Sequence, residues 1–260
     1  MTPKRIMAIV NQKGGVGKTT TAINLAAALS ELEQRVLLID MDPQGNASTG
    51  LGIPRDDRAK SIYNVLTEDM PLDDAIRPTQ VRGLHILPSH PDLSAAEMEI
   101  GSSEGRTRIL KTAVAKANSG FDYVLIDCPP SLNLLTLNAL AVARSAIVPL
   151  QCEFFALEGL SQLLKTVEMA KEGINPKLAI DGVLLTMFDR RNRLSVQVAD
   201  DVRRHLGRAV FETVIPRNVR IAEAPSFSEP VTTYEPASQG AKAYRRLARE
   251  ILRKHAARVK

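Results

Sequence analysis

Apolar runs of strand length alternate with longer stretches of helical period along the whole chain. Ile6–Val10, Val36–Ile39, Leu84–Leu87, Tyr123–Ile126, Ala146–Leu150, Ala179–Leu185 and Val210–Ile215 read as strands. Several are apolar throughout, as strands of a parallel sheet buried on both faces are. Between them, Thr20–Leu32, Arg106–Ala117, Asn133–Ala143, Leu157–Glu172 and Leu194–Leu206 place apolar residues at helical spacing, and Ser238–Ala257 closes the chain as a long basic helix. This alternation predicts an α/β fold, a mostly parallel twisted sheet with helices on both faces. No linker, repeat or low-complexity segment divides the chain, so residues 1–260 are expected to form a single domain ending in a basic helix at about 238–257. The least regular stretch, 45–74, holds Gly45, Gly50, Gly52 and Pro54 and is expected to cross the surface.

With 44% hydrophobic and 24% charged residues, the chain has ordinary globular usage, which excludes a disordered or fibrous protein. No apolar run approaches the ~18 to 20 residues that span a bilayer. Met1–Arg5 leads into a short apolar stretch that runs straight into a glycine loop, unlike a signal peptide. The two cysteines, Cys128 and Cys152, form no CxxC and no metal spacing, which fits a reducing compartment and excludes a disulfide framework. A cytoplasmic location is expected. The net charge of +5 is uneven: residues 181–260 hold 16 basic against 9 acidic residues, and the rest of the chain is slightly acidic. That asymmetry points to a polyanionic partner, nucleic acid or an anionic membrane surface.

The first strand pattern runs into Asn11-Gln12-Lys13-Gly14-Gly15-Val16-Gly17-Lys18-Thr19-Thr20. Glycines in such a loop let successive N–H groups turn inward on phosphate oxygens, and the helix that follows adds its N-terminal dipole. The closing Gly17-Lys18-Thr19 fits a P-loop for ATP and Mg²⁺, with Lys18 on the β- and γ-phosphates and the Thr19 hydroxyl on the metal. The opening glycine is replaced by Gln12, and the remaining glycines, Gly14 and Gly15, follow Lys13. Residues 45–74 should pass next to this site.

Two further strand patterns end in acids, at Ile39-Asp40-Met41-Asp42-Pro43-Gln44-Gly45-Asn46 and at Ile126-Asp127-Cys128-Pro129-Pro130. The C-terminal ends of parallel strands line the crevice where ligands bind, so both acids belong near the phosphates. Asp127 suits the metal-side carboxylate, and Asp42 suits a residue that orients or deprotonates the attacking water at the metal. Asp40 is expected to support the loop or the metal's outer shell.

The lysine before paired glycines, with Asp-Met-Asp-Pro-Gln-Gly-Asn and Ile-Asp-Cys-Pro-Pro-Ser-Leu, resembles the ParA/Soj branch of the deviant Walker A ATPases. Leu185–Arg191 and Val214–Ser226 resemble its chromosomal members, so the likeness runs from Ile6 to about Glu250. It implies an ATP-bound sandwich homodimer in which Lys13 of each subunit reaches the phosphates held by the other, as an arginine finger does. It places Gly14 at the dimer contact, Lys18 at the nucleotide-binding position and Asp42 at the hydrolysis position. By the same resemblance, Lys13 and Gly14 to Thr20 cradle the nucleotide, while Met187, Pro216 and Asn218 pack on the adenine.

The family's dimer binds double-stranded DNA without sequence preference, and the matching positions are Arg191 and Arg220. Arginine on phosphate is the chemistry such a surface needs. Arg190, Arg191, Arg193 and Arg217 lie nearby in sequence, and the absence of interleaved aromatics argues against single-strand stacking. The function implied is chromosome or plasmid segregation on the nucleoid, with a ParB-type centromere-binding partner stimulating a weak ATPase. Alternatives are positioning of another cargo, such as a chemoreceptor cluster, and MinD-like membrane cycling. Against the latter, the face Tyr244, Leu247, Ala248, Ile251 and Leu252 is modest and His255–Lys260 offers no bulky anchor, so no stable membrane attachment is expected. Iron–sulfur relatives need bridging cysteine pairs, and Cys128 and Cys152 are not placed for that.

Overall fold

In the computed structural model, which describes residues 5–101, 104–118, 120–154 and 156–257, seven strands form one sheet. They are β1 (Arg5–Ile9), β2 (Val36–Asp40), β3 (Arg77–Pro78), β4 (Leu84–Leu87), β5 (Tyr123–Asp127), β6 (Ser145–Gln151) and β7 (Ala179–Thr186). Their order is β3-β4-β2-β5-β1-β6-β7, and every pairing is parallel except that of β3 with β4. The expected parallel α/β sheet is therefore present. Met1–Lys4 and Arg258–Lys260, read above as the lead-in and the helix tail, lie outside the described residues.

The helices are α1 (Lys18–Ser30), α2 (Asn46–Gly50), α3 (Ile62–Thr67), α4 (Leu72–Ala75), α5 (Leu93–Ile100) and α6 (Ile109–Lys116). They continue with α7 (Leu134–Val142), α8 (Ala156–Gly173), α9 (Arg193–Leu206), α10 (Val219–Glu223), α11 (Val231–Tyr234) and α12 (Gln239–Ala257). Side chains alternate across each strand, so the sheet supports two cores. Ile6 and Ala8 of β1 join Leu37 and Ile39 of β2 on one face, under α3 to α9. Met7 and Ile9 join Val36 and Leu38 on the other, under α1 and α12. Helix α1 is enclosed between sheet and α12, so it is buried nearly all round, its polar Thr21, Asn24 and Ser30 included.

Helix α12 docks Tyr244, Leu247, Ala248 and Ile251 into this second core, each no more than 1% exposed. A fully buried Leu or Ile contributes about 1.5–3 kcal/mol. Lys242, Arg246, Arg249 and Arg253 remain on its outer face. At its end, His255 Nε2 lies 2.8 Å from Asp181 Oδ2 and Nδ1 lies 3.2 Å from the Tyr123 hydroxyl.

Two expectations need correction. Val210–Ile215 is not a strand. Phe211 and Ile215 donate their N–H groups to Val183 and Leu185 of β7 (3.0 and 2.8 Å), but those of Glu212 and Thr213 donate to the buried Glu250 carboxylate (2.8 and 3.0 Å). The side-chain acceptor replaces the ladder. Residues 45–74 are not an irregular crossing but are largely folded into α2, α3, α4 and a short 3₁₀ turn at Arg55–Asp57. Helices α5, α10 and α11 and the two-residue edge strand β3 were not anticipated: α10, α11 and β3 have too few residues to show a period.

Candidate active site

The loop between β1 and α1 is held at both sides. Asn11 donates from Nδ2 to the Pro149 carbonyl (2.7 Å) and accepts the Lys13 N–H on Oδ1 (3.0 Å). The Thr186 hydroxyl, at the end of β7, donates to the Val16 carbonyl (2.9 Å). Gly15 and Gly17 have φ of 75° and 87°, a region closed to most residues, so the turn ahead of α1 requires glycine at both. Gly14 differs from both. Its φ is not positive, and a Cβ built there would meet no atom within 4 Å, so nothing within the described chain requires glycine.

Lys18, at the first position of α1, is buried and donates from Nζ to the Lys13 carbonyl (2.9 Å). Burial pulls its pKa down, opposed by the charges of Asp127 and Asp42 nearby. Lys13 Nζ is instead held by the Glu153 carboxylate, past the end of β6, with half of the lysine side chain exposed. Both lysines thus flank one loop, one folded under it and one outside it.

Asp127 ends β5 between β1 and β2, in register with Ile9 and Asp40. It is fully buried, and neither carboxylate oxygen has a hydrogen-bond partner of ordinary geometry. Burial raises its pKa well above the usual range, and the charges of Asp40 and Asp42 add to this; the adjacent Thr19 hydroxyl, through a side-chain hydrogen-bond interaction, and the charge of Lys18 act in the other direction. A buried, unsatisfied carboxyl beside a Thr hydroxyl at a helix start is a site short of a cation. Mg²⁺, which takes few protein carboxylates and fills its shell with water and phosphate, fits that donor set. Among the described residues no three His, Cys, Asp or Glu side chains converge as a complete metal cage.

Asp40 is satisfied where Asp127 is not. Its Oδ2 accepts from the Ser48 N–H and hydroxyl (2.8 and 2.7 Å), and its Oδ1 accepts from the Asp42 N–H (3.3 Å). Burial still pushes its pKa up to about 6. Asp42 itself is 8% exposed and accepts the Gln44 N–H on Oδ1 (3.0 Å). Sequence reasoning missed Glu153, Ser48, Arg58 and Ser89, which hold Lys13 or the Asp42 loop. Only Glu153, an acid just past a strand end, carried a local signal.

Met187 follows Thr186 with a φ of 50°, a strained value for a non-glycine residue. Phe188 then exchanges backbone hydrogen bonds with Ile215 and Arg217 (3.0 and 3.1 Å), bringing the Met187 and Pro216 segments side by side. The Asn218 side chain is occupied in capping α10, accepting the Arg220 N–H (3.1 Å). Arg190, Arg191, Arg217, Lys242 and Arg246 surround a recess of about 410 Å³, with Asp189 as the sole acid of its lining. Arg191 pairs with Asp189 (3.3 Å), whose carboxyl is held below its ordinary pKa by the Arg191 N–H and guanidinium. Arg220 stands outside that lining and pairs with Glu223 (2.8 Å). Cys128 and Cys152 are buried and unpaired.

Residues 4–180 match the family described as AAA domain. The chain is 56% identical over 252 residues to the chromosome partitioning protein ParA of Caulobacter vibrioides, covering 96% of this chain and 94% of that one. It is 49% identical over 247 residues to the sporulation initiation inhibitor protein Soj of Bacillus subtilis, covering 95% and 98%. Among solved structures it resembles the cobyrinic acid a,c-diamide synthase of Mycobacterium smegmatis with bound ADP and magnesium, at 40% identity and a TM-score of 0.84, covering 96% and 94%.

Proposed function

This chain belongs to the AAA domain family and, by identity over nearly its whole length, to the ParA/Soj chromosome-partitioning ATPases, and from that premise we propose that it is an ATP-driven DNA-segregation switch. It hydrolyses ATP to ADP and phosphate, weakly when alone. The observation that carries this reading is the unsatisfied Asp127 carboxylate set beside Lys18 and Thr19 at the open end of the phosphate loop. The M. smegmatis neighbour is similar in fold and was solved with ADP and magnesium, yet is named for another activity; a fold hosts many chemistries, so the site decides.

In this reading Gly14 to Thr20 hold the phosphates, with Lys18 on the β- and γ-phosphates, and Met187, Pro216 and Asn218 border the base. Thr19, Asp42 and Asp127 would hold Mg²⁺ here. The ion neutralises charge on the phosphates when bound. Asp42 orients the attacking water. Lys13 leaves Glu153 on dimerisation and reaches the partner's nucleotide, and the open space around Gly14 supports a close approach by a second subunit.

The homodimer then offers Arg191, Arg220 and the neighbouring cations to the phosphates of duplex DNA, on the nucleoid within the cytoplasm. A ParB-type partner accelerates hydrolysis and release. Positioning of another cargo would use the same chemistry. Membrane cycling is disfavoured because the apolar face of α12 is already packed into the core.

The test is retention on random-sequence duplex DNA with ATP, ADP or no nucleotide. Retention is expected with ATP alone. Equal retention in all three states would remove the switch, because a nucleotide moves an equilibrium only through differential affinity.

A further inference from the structure

Arg58 is the largest fully buried side chain described, at 1% exposure, and it lies in the stretch that reads from sequence as irregular surface. Its guanidinium donates to the Ile53 carbonyl from Nε and Nη2 (3.1 and 2.7 Å), to the Gly45 carbonyl from Nη1 (3.3 Å) and to the Thr49 hydroxyl from Nη2 (2.8 Å). No carboxylate is among these partners. Burial pulls its pKa down, and the charge of Asp40 works the other way. A buried cation without a hydrogen-bonded counter-ion is costly, and an apolar side chain would fill the same space without that cost. The donors of Arg58 must therefore serve the structure they bind.

That structure is the block carrying Asp42. Gly45, Thr49 and Ile53 are the entry, body and exit of α2, five residues that cannot persist as a helix alone. Gly45 has a φ of 63°, and a Cβ there would lie 2.2 Å from Arg58 Nη1, so the guanidinium fills the space beneath the turn that follows Asp42. From the same block, Ser48 donates to Asp40 and accepts the Ser89 N–H on Oγ (3.0 Å). The Ser89 hydroxyl donates in turn to the Asp42 carbonyl (2.6 Å). The Asp42 carbonyl also accepts the Gly45 N–H (2.9 Å). The backbone of Asp42 is thus held on one side by Asp40 of the sheet and on the other by a block that Arg58 ties together.

We propose that Arg58 is a positioning residue for ATP hydrolysis, clamping the turn after β2 so that the Asp42 carboxylate meets the attacking water in one orientation. This rests on the reading of Asp42 as the residue that orients the water. Misplacing a reacting group by about 1 Å costs about 100-fold, so Arg58→Met is expected to lower kcat by about 10- to 100-fold. KM and the affinity for ATP with Mg²⁺ stay within about twofold, because the phosphate loop is untouched. Arg58→Lys, which keeps the charge and loses the fork, recovers part of kcat.

The experiment measures steady-state ATP hydrolysis and nucleotide affinity for Arg58→Met, Arg58→Lys, Ser89→Ala, Asp42→Ala and the Asp42→Ala/Arg58→Met double variant. Circular dichroism confirms that each is folded. The double variant is expected to be no slower than Asp42→Ala, since Arg58 acts through Asp42. Should Arg58→Met fail to fold, Ser89→Ala, which removes only the hydroxyl on the Asp42 carbonyl, stands in with an expected fall of about 3- to 10-fold. Wild-type kcat in the folded variant beside an inactive Asp42→Ala would overturn the positioning role and leave Asp42 in place. A slow Arg58→Met beside a fully active Asp42→Ala would overturn the reading of Asp42 and the proposal with it.

Discussion

Asp40 and Asp127 stand opposite one another at the carboxyl ends of the adjacent parallel strands β2 and β5, both fully buried. Asp40 has its oxygens filled by Ser48 and the Asp42 N–H, whereas neither oxygen of Asp127 has a hydrogen-bond partner of ordinary geometry, only the nearby Thr19 hydroxyl. Two identical residues at equivalent positions are thereby divided into a structural anchor and a ligand in waiting. Burial and the neighbouring Asp40 both work against charge on Asp127, which a bound cation would reverse.

Asp127→Asn keeps the shape and removes the buried acid. The nucleotide-free protein is expected to gain about 1 kcal/mol, a rise of about 2–4 °C in thermal midpoint for a chain of this size. The additional rise that ATP with Mg²⁺ produces over ATP with EDTA is expected to vanish. Thermal denaturation under those conditions reads both effects, and an undiminished Mg²⁺ increment would remove Asp127 from the metal site.

Lys13→Ala breaks the pair with Glu153 at a half-exposed site, where ion pairs are worth about 0–1 kcal/mol, so stability should hardly change. ATP-dependent dimerisation and turnover are expected to fall at least about tenfold, as loss of a cation on transferring phosphate does. Light scattering with and without ATP checks the first and phosphate release the second. A variant that dimerises and turns over like the wild type would leave Lys13 as a surface lysine.

Arg191→Glu and Arg220→Glu are each expected to weaken retention on random duplex DNA and to reduce the slope of affinity against salt by about one charge, with ATP affinity unchanged. Titrations at several salt concentrations measure both. Because each arginine is exposed and already pairs with a half-buried acid, Asp189 or Glu223, DNA phosphate has only to displace a weak surface partner. A wild-type salt slope would argue that the face is merely solvated.

Leu247→Ala empties a fully buried position between α12 and α1. The expected loss is about 2–5 kcal/mol, from lost transfer energy and the cavity left behind. Urea unfolding measures it, and a loss under about 1 kcal/mol would show that α12 is only loosely docked.

The Cys152 thiol has its pKa pushed up to about 11 by burial, against the opposing influence of Ser195 and Arg203. The thiolate is the nucleophile, so alkylation of the native protein should be slow at pH 7 and accelerate about tenfold per pH unit until the thiol titrates. Unfolding in urea should abolish the protection. Mass spectrometry of the Cys152 peptide after iodoacetamide follows the rate, and rapid labelling at pH 7 would contradict the buried placement.

Much of this protein was legible in the residue pattern because the responsible forces are local or periodic. Six of the seven strands, including those ending at Asp40 and Asp127, announced themselves as apolar runs, and Gly15 and Gly17 carry their loop geometry in their own backbone preferences. What tertiary structure decided were the partners. Glu250, 37 residues beyond Thr213 in sequence, takes the N–H groups that would have made Val210–Ile215 a strand. Glu153 reaches Lys13 across 140 residues, and Ser89 grips Asp42 across 47. Arg58 reads as a surface cation until α2 is wrapped around it. Hydrogen-bond donors and acceptors are satisfied by whatever the fold brings within about 3 Å, and no spacing along the chain encodes that proximity.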